Sequence, residues 1–203
     1  MYIPKHFNAA EDQQIDNFIG RYSFGTLVTP ADSGIQVTHL PFLVDGGSDP
    51  LVLCGHFARA NPHAGIAGKA DSVAIFHGPH CYISPNWYAS RQVPTWNYAV
   101  LHCHGSITMI EDHAVIHEIV LELSDLHERH LDDPWIPDYD DAMLNAIIGF
   151  EMTVERTEFK HKLSQNKSAE DRRGAIDALR ASGSEDEHAV ADLMQQTINH
   201  GVD

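Results

Sequence analysis

A regular alternation of apolar and polar residues in one segment most constrains the fold of this chain. In residues 98–110, YAVLHCHGSITMI, the odd positions from 101 to 109 are apolar or small, and the even positions from 102 to 108 are polar. Successive side chains of a β-strand point to opposite faces, so this pattern predicts a strand with one face in a core. The other face carries two histidines, a serine and a threonine and is too polar for a core.

Similar segments predict five more strands, at residues 23–30, 34–45, 51–58, 72–76 and 147–159. Apolar stripes of helical period predict helices at 11–21 and 113–130. Two further helices begin at the N-cap signals of Ser168 and Ser184, the second ending at Gly201. Short strands with few long crossovers favour an α+β fold, a barrel-like sheet of about six antiparallel strands with flanking helices. We expect one domain, 1–203, with residues 168–203 as its C-terminal helical extension.

The charge is strongly negative but unevenly distributed. The net charge is −16, and residues 111–141 contain 11 Asp and Glu but a single Arg. Seven of the 13 Lys and Arg lie in residues 156–180. Such negativity disfavours non-specific nucleic-acid binding, which requires phosphate neutralisation. Three separated cysteines, no apolar run of membrane-spanning length and no secretory signal predict a cytoplasmic protein with reduced thiols and no membrane partner.

The segment HGPHCYISPNWY, residues 77–88, combines stiff and aromatic residues. Pro79 and Pro85 restrict the backbone, so the rings of Tyr82, Trp87 and Tyr88 are held in place before a ligand binds. Flat rings with polar edges suit a planar heteroaromatic ligand, which indicates one wall of a binding site. The alternative is that the aromatic residues of this region belong to the core or to a dimer interface; these are Trp87, Tyr88, Trp96 and Tyr98.

Two other segments offer cationic side chains for an anion. Arg59 closes a strand in FARANP, and arginine suits phosphate oxygens. KHKLSQNK, residues 160–167, supplies three lysines together with Ser164, Gln165 and Asn166. A solvated basic loop is the alternative, although the acidity of the rest of the chain favours an anion site.

Histidines and cysteines suggest a metal, but their spacing does not support one. In a strand, Cys103 faces away from His102 and His104, so these residues do not converge on zinc, and we predict no metal site. A haem axial histidine among His77, His80, His102 and His104 is the more reasonable variant. The chain has no GxSxG, GxGxxG or GxxxxGK[ST] segment, and we assign no catalytic residue.

Taken in order, six segments resemble the PaiB-type FMN-binding negative transcriptional regulators. They are MYIPKHF, VTHLPF, GHFARANP, HGPHCYISPNWY, VPTWNYAVLHCHG and KLSQNKSAEDRRG, which together span residues 1 to about 174. Cys81 and Asn86 stand where alanine and serine are expected in that family.

The resemblance implies a split β-barrel of the FMN-binding type, a cytoplasmic homodimer with flavin mononucleotide at the subunit boundary, and a role in repression. It implies phosphate contacts for Arg59 and Lys162, and ring or ribityl contacts for residues 95–97 and 164–166. The implied cofactor-binding residues are Arg59, Asn61, His77, Tyr82, Trp87, Thr95, Trp96, Asn97, Lys162, Ser164, Gln165 and Asn166.

Three functions remain open at this point. The first is a regulatory flavoprotein, for which direct DNA binding follows from the resemblance but is disfavoured by the charge. The second is an FMN-dependent oxidoreductase that uses the same site. The third is a haem-binding or haem-handling protein.

Overall fold

The computed structural model describes residues 1–9, 12–45 and 47–199. Seven strands and six α-helices lie in these ranges. The strands are β1 (Phe24–Ala31), β2 (Gly34–Pro41), β3 (Leu43–Asp45), β4 (Val52–Ala58), β5 (Ser72–Ile83), β6 (Thr95–Ile110) and β7 (Ile147–Lys162). The helices are α1 (Asp12–Arg21), α2 (Ala64–Ala67), α3 (His113–Glu128), α4 (Asp141–Asn145), α5 (Ala169–Arg180) and α6 (Glu185–Asn199).

All seven strands form one sheet in the order β2-β1-β5-β6-β7-β4-β3. The β1–β2, β1–β5, β3–β4 and β4–β7 pairs are antiparallel, which confirms the α+β prediction. The predicted strand at 34–45 is two strands, because Phe42 leaves the sheet with its side chain fully buried. Its backbone N–H donates to the Ser23 carbonyl at 2.9 Å. The preceding Pro41, which has no N–H, ends β2 at the edge of the sheet.

Three strands are longer than predicted: β6 begins at Thr95 rather than at residue 98, and β5 and β7 continue beyond their predicted ends. The predicted strand at 72–76 continues through the aromatic segment to Ile83, so HGPHCY lies within β5 and not at its exit. Pro79 is buried there, and on both sides of it His77 and His80 are exposed. The basic residues 160–162 likewise belong to β7 and not to a loop. In β6 the predicted alternation is confirmed, with Cys103 fully buried.

The predicted caps at Ser168 and Ser184 precede α5 and α6, and α3 has a cap at Asp112 that the sequence analysis did not predict. Asp112 accepts a hydrogen bond from the Ala114 N–H at 2.8 Å and begins α3, which ends at Glu128 rather than at residue 130. Ser168 accepts from the Asp171 N–H at 3.1 Å at the start of α5, and Ser184 precedes α6. The predicted ends at Glu11 and Gly201 lie outside the described residues. No helix within the described ranges is long and apolar enough to cross a membrane.

The chain forms two compact units. In the described ranges, unit 1 contains residues 1–9, 77–101 and 158–199, and unit 2 contains 12–45, 47–76 and 102–157. Strands β5, β6 and β7 each contribute one part to either unit. The prediction of a single domain with an extension at 168–203 stays a prediction.

Each unit has its own apolar cluster. In unit 2 the rings of Phe42, Phe57, Phe76 and Phe150 are fully buried, and the Phe42 and Phe76 centroids are 5.1 Å apart. In unit 1, helices α5 and α6 cover the end of β5. The buried residues there are Cys81, Ile83, Tyr88, Leu163, Ala175, Ile176, Leu179, Val190, Ala191 and Met194.

The three cysteines are free thiols, as predicted. Burial raises the pKa of Cys81 to about 12, with the carboxylates of Glu187 and Asp186 adding to the shift. Burial also raises the pKa of Cys103 to about 12. The thiolate is the reactive form, so neither residue is an activated nucleophile.

Candidate cofactor site

Strands β5 and β6 present an exposed aromatic surface in unit 1. His80 and Tyr82 project from β5, and Trp96, which is 54% exposed, projects from β6. The Trp96 ring centroid lies 6.3 Å from that of Tyr82, at an interplanar angle of 75°, and 6.4 Å from that of His80. We call the set formed by His77, His80, Tyr82, Trp96 and Tyr98 the aromatic face.

A cavity of about 310 Å³ opens on the aromatic face. Its volume is at the lower end of the range for small-molecule sites. Two exposed imidazoles and two aromatic rings supply most of its wall. The lining residues are His77, Gly78, His80, Trp96, Tyr98, Ala99 and Val100.

Two lysines of β7 lie beside the aromatic residues of β6. The Lys162 ammonium donates to the Thr95 hydroxyl and to the Trp96 carbonyl oxygen. The Lys160 ammonium is 5.4 Å from the Tyr98 ring centroid and donates to the Tyr2 carbonyl oxygen at 2.9 Å. The structure therefore brings together Thr95, Trp96 and Lys162, as the sequence predicted for one site.

The electrostatics at Lys162 favour an anionic ligand. Burial lowers the pKa of Lys162 below its ordinary value of 10.5, and the positive charges of Lys160 and Lys167 lower it further. A bound anion would offset both penalties, because it stabilises the charged form of the lysine. The three lysines are thus a concentration of positive charge in an otherwise acidic chain.

The second pair of aromatic residues in this region has a structural role. Tyr88 is 8% exposed and belongs to the apolar cluster under α5 and α6, and Trp87 packs against that cluster. This matches the alternative that the sequence left open for these two rings. Trp96 and Tyr98, in contrast, are on the aromatic face. The cofactor contact predicted for Trp87 stays a prediction.

A buried polar network lies between β6 and the turn after β7. The Ser164 hydroxyl is 3.1 Å from the Tyr88 hydroxyl, and Asn97 Nδ2 donates to Ser164 Oγ at 3.1 Å. Ser164 has φ of 62°, in the left-handed region that a non-glycine residue rarely adopts. Such backbone conformations concentrate at functional sites. Gln165 closes the turn by donating to the His161 carbonyl oxygen at 2.7 Å, and Asn166 is exposed.

Arg59 and Asn61 belong to unit 2, whereas the other predicted cofactor residues belong to unit 1. Arg59 Nε donates to the Asn145 carbonyl oxygen at 3.0 Å, and one terminal nitrogen donates to that of Ile147 at 2.8 Å. The Asn61 side chain accepts from the His63 N–H at 3.0 Å. Both side chains brace the backbone, and their predicted phosphate or flavin contacts stay predictions.

Sequence reasoning missed two buried polar residues. Asp171 accepts from the Ser90 N–H at 2.9 Å and from its hydroxyl at 2.7 Å, and these hydrogen bonds lower the pKa of the Asp171 carboxyl. His63 bridges the hydroxyls of Thr38 and Thr29, each at 2.8 Å. The SAED cap placed Asp171 in the first turn of α5, but no local pattern indicates its distant partner.

The histidines proposed as haem ligands fall into both units. His77 and His80 line the cavity of the aromatic face in unit 1. His102 and His104 extend from β6 in unit 2, with ring centroids 6.3 Å apart, and Cys103 between them faces the core. The opposite orientation of Cys103 confirms the argument against a His102-Cys103-His104 zinc set.

The antiparallel sheet and its flanking helices define the class: the fold is the FMN-binding split barrel. The flavocytochrome Anf3 of Azotobacter vinelandii shares it with a TM-score of 0.63 at 12% identity, over 79% of this chain and 72% of that one. The FAD and haem binding protein of Mycobacterium smegmatis has a TM-score of 0.62 at 12% identity, over 76% and 72% of the two chains. At such identities the likeness concerns the fold.

Residues 1–156 match the family described as "Putative FMN-binding domain", and the chain belongs to this FMN-binding family. Within the wider set of relatives, the chain is 34% identical to the protease synthase and sporulation protein PAI 2 of Bacillus subtilis. That alignment spans 208 residues and covers 100% of each chain. The family resemblance identified from the sequence motifs is thereby confirmed.

Proposed function

We propose that this chain is a regulatory flavoprotein that binds FMN on the aromatic face and acts as a homodimer. The observation that carries the proposal is the position of Lys162 against Thr95 and Trp96, beside exposed rings and in a family of FMN-binding chains. One cationic group next to flat aromatic surfaces suits a ligand with a phosphate and a planar ring.

The phosphate end of FMN would be held by Lys162. Its ammonium is partly desolvated and repelled by two other lysines, so a phosphate dianion relieves an existing penalty. The Thr95 hydroxyl, which already accepts from Lys162, positions the ammonium. Riboflavin has the same ring and no phosphate, so it separates this contribution from that of the rings.

The ring end would rest on the aromatic face. Trp96 and Tyr82 are exposed and nearly perpendicular, so one can stack on a flavin while the other meets its edge. Bound flavin supplies one- and two-electron redox chemistry, and this chain would orient it and limit its contact with water. Haem is the alternative ligand, favoured by the exposed imidazoles of His77 and His80 in the same cavity.

A homodimer is proposed because the aromatic face is exposed in the single chain. Trp96 is 54% exposed and Tyr82 44%, and exposed apolar groups of this kind mark interaction surfaces. Sedimentation velocity of the purified protein tests this. A mass of one chain at micromolar concentration, with and without FMN, would contradict the dimer.

The regulatory role rests on similarity to a Bacillus protein named for protease synthesis and sporulation. Direct binding of DNA is opposed by a net charge of −16, so action through a protein partner is easier to reconcile with the charge. A gel-shift assay with promoter DNA at physiological salt tests direct binding.

The alternative of an oxidoreductase is tested by anaerobic mixing of the FMN-loaded protein with NADH or NADPH, since rapid bleaching of the flavin by either would support it.

The central experiment compares FMN with riboflavin in fluorescence titrations. We expect FMN to bind more tightly than riboflavin. Lys162→Met should lower the affinity for FMN about thirtyfold and leave the affinity for riboflavin nearly unchanged. Lys69→Met is the matched control, because Lys69 is exposed in unit 2. Equal loss for both ligands would show that Lys162 does not contact the phosphate. A haemin titration with His77→Ala and His80→Ala variants tests the haem alternative through the Soret band.

A further inference from the structure

Unit 2 has a cavity of its own, of about 400 Å³, beside helix α3. It is bounded by β4, α3, α4 and the segment between the two helices. The lining residues are Pro41, His56, Val120, Leu123, Ser124, His127, Glu128, Trp135, Tyr139, Met143, Leu144 and Ile147. We call it the acidic cavity, because seven of its twelve lining residues belong to the acidic stretch 111–141.

Two rings of the acidic cavity form a corner. The centroids of Trp135 and Tyr139 are 5.5 Å apart and their planes make an angle of 80°. The Tyr139 hydroxyl is 2.7 Å from Ser124 Oγ, which itself donates to the Val120 carbonyl at 2.7 Å, so Tyr139 donates and its ring is fixed. Perpendicular aromatic faces of this kind attract organic cations.

A carboxylate lies at the same corner. One oxygen of Glu128 accepts from the backbone N–H of Trp135 at 2.7 Å, which ties the aromatic corner to the end of α3. Of the lining residues that the structure describes, none is a lysine or arginine. With 11 acidic residues and one arginine in residues 111–141, the local field favours a cation and opposes an anion.

A neutral imidazole forms another part of the wall. His56 of β4 pairs with Gly149 of β7, so no side chain of β7 stands directly beside it. Its Nδ1 is buried and has no hydrogen-bond partner among the residues described. Burial lowers the pKa of His56 below its ordinary value of 6.5, so the ring adds no positive charge at pH 7. A buried polar atom without a partner calls for one, and a bound molecule can supply it.

We propose that the acidic cavity binds a small organic amine with an apolar body. The ammonium would lie in the corner formed by Trp135, Tyr139 and Glu128. The apolar body would rest on the aliphatic side chains of the floor, Val120, Leu144 and Ile147. Rings and one carboxylate supply the attraction for the cation, and the aliphatic floor supplies the apolar contact.

Three isosteric probes test the charge requirement directly: 3-phenylpropylamine, 3-phenylpropan-1-ol and 3-phenylpropionate. Titrations are followed by calorimetry and by the indole N–H signals of the three tryptophans, with Trp135→Phe assigning one of them. We expect the amine to bind about tenfold more tightly than the alcohol, with the carboxylate weakest, and to shift the Trp135 signal. An alcohol that binds as tightly as the amine, or an amine that leaves the Trp135 signal unmoved at millimolar concentration, would overturn the proposal.

Variants of the corner sharpen the test. Glu128→Gln keeps an acceptor for the Trp135 N–H and removes the charge, so the amine should lose about tenfold in affinity and the alcohol should not change. Glu118→Gln on the same helix is exposed and serves as the matched control. Trp135→Leu should abolish the preference for amine over alcohol, whereas Trp135→Phe should retain it. The proposal fails if the Glu128→Gln and Trp135→Leu variants both still bind the amine more tightly than the alcohol.

Discussion

The aromatic face of unit 1 and the acidic cavity of unit 2 use similar rings beside opposite charges. Trp96 and Tyr82 are nearly perpendicular next to Lys162, and Trp135 and Tyr139 are nearly perpendicular next to Glu128. Aromatic faces accept many flat or cationic ligands, so the rings alone do not select one. We therefore expect the neighbouring charged residue, Lys162 or Glu128, to set the class of ligand at each place.

The two regions also differ in what supports them. The rings of the aromatic face stand on β5 and β6, whereas Trp135 and Tyr139 come from the segment between α3 and α4. Side chains on strands are positioned more rigidly than those on connecting segments. We therefore expect the aromatic face to be the more sensitive of the two to changes in packing behind its strands.

The largest effect is expected for Gly174→Ala in α5. A Cβ at Gly174 would lie 2.3 Å from the Trp87 carbonyl oxygen, so the helix must move away from the turn after β5. We expect a loss of about 3 kcal/mol in the free energy of unfolding, measured by urea denaturation. Gly183→Ala is the control, since nothing lies within 4 Å of its Cβ position. Equal free energies of unfolding for the two variants would mean that the short distance between position 174 and the Trp87 carbonyl oxygen does not limit stability.

The next effect separates the two ligands. Trp96→Leu should weaken FMN binding about thirtyfold and leave the affinity for 3-phenylpropylamine unchanged, because Trp96 belongs to the aromatic face alone. Trp135→Leu should give the reverse pattern, since Trp135 lines the acidic cavity. Parallel titrations of both variants with both ligands measure this. Loss of FMN binding in Trp135→Leu would show that FMN binding is not confined to the aromatic face.

A smaller effect is expected from pH. Lys162 is charged below its pKa, which lies below 10.5, and loses its charge as the pH rises through that value. The preference for FMN over riboflavin should therefore be largest well below pH 10.5 and decrease as the pH rises toward that value. Bound phosphate stabilises the ammonium, so Lys162 loses its proton at a higher pH in the complex than in the free protein. The Lys162→Met variant should show no such dependence, and a preference that is constant with pH in the unmodified protein would contradict the assignment.

Local patterns predicted the elements well and the roles of single residues less well. The alternation in β6 and the cap at Ser168 act over a few residues, and each is confirmed. The continuation of β5 through Pro79 was missed, because a proline in a strand pattern normally argues against a strand.

The division of the aromatic residues could not be predicted from spacing. Tyr88 is buried and Trp87 half-buried because α5 and α6, about 80 to 110 residues further along the chain, pack against them. Arg59 likewise binds carbonyl oxygens of residues 145 and 147, which no nearby pattern indicates. Long-range packing determined both outcomes, and it leaves little trace in a short window of sequence.

The protonated state of the native thiols offers a practical route to spectroscopic distance measurements. Even Cys54, the least buried, has its pKa raised to about 11 by burial, so roughly one molecule in ten thousand carries a thiolate there at pH 7. Maleimide dyes should therefore react very slowly with the three native cysteines. A single Glu170→Cys substitution on the exposed side of α5 would then accept one fluorophore, and energy transfer between labelled copies would report how two chains associate.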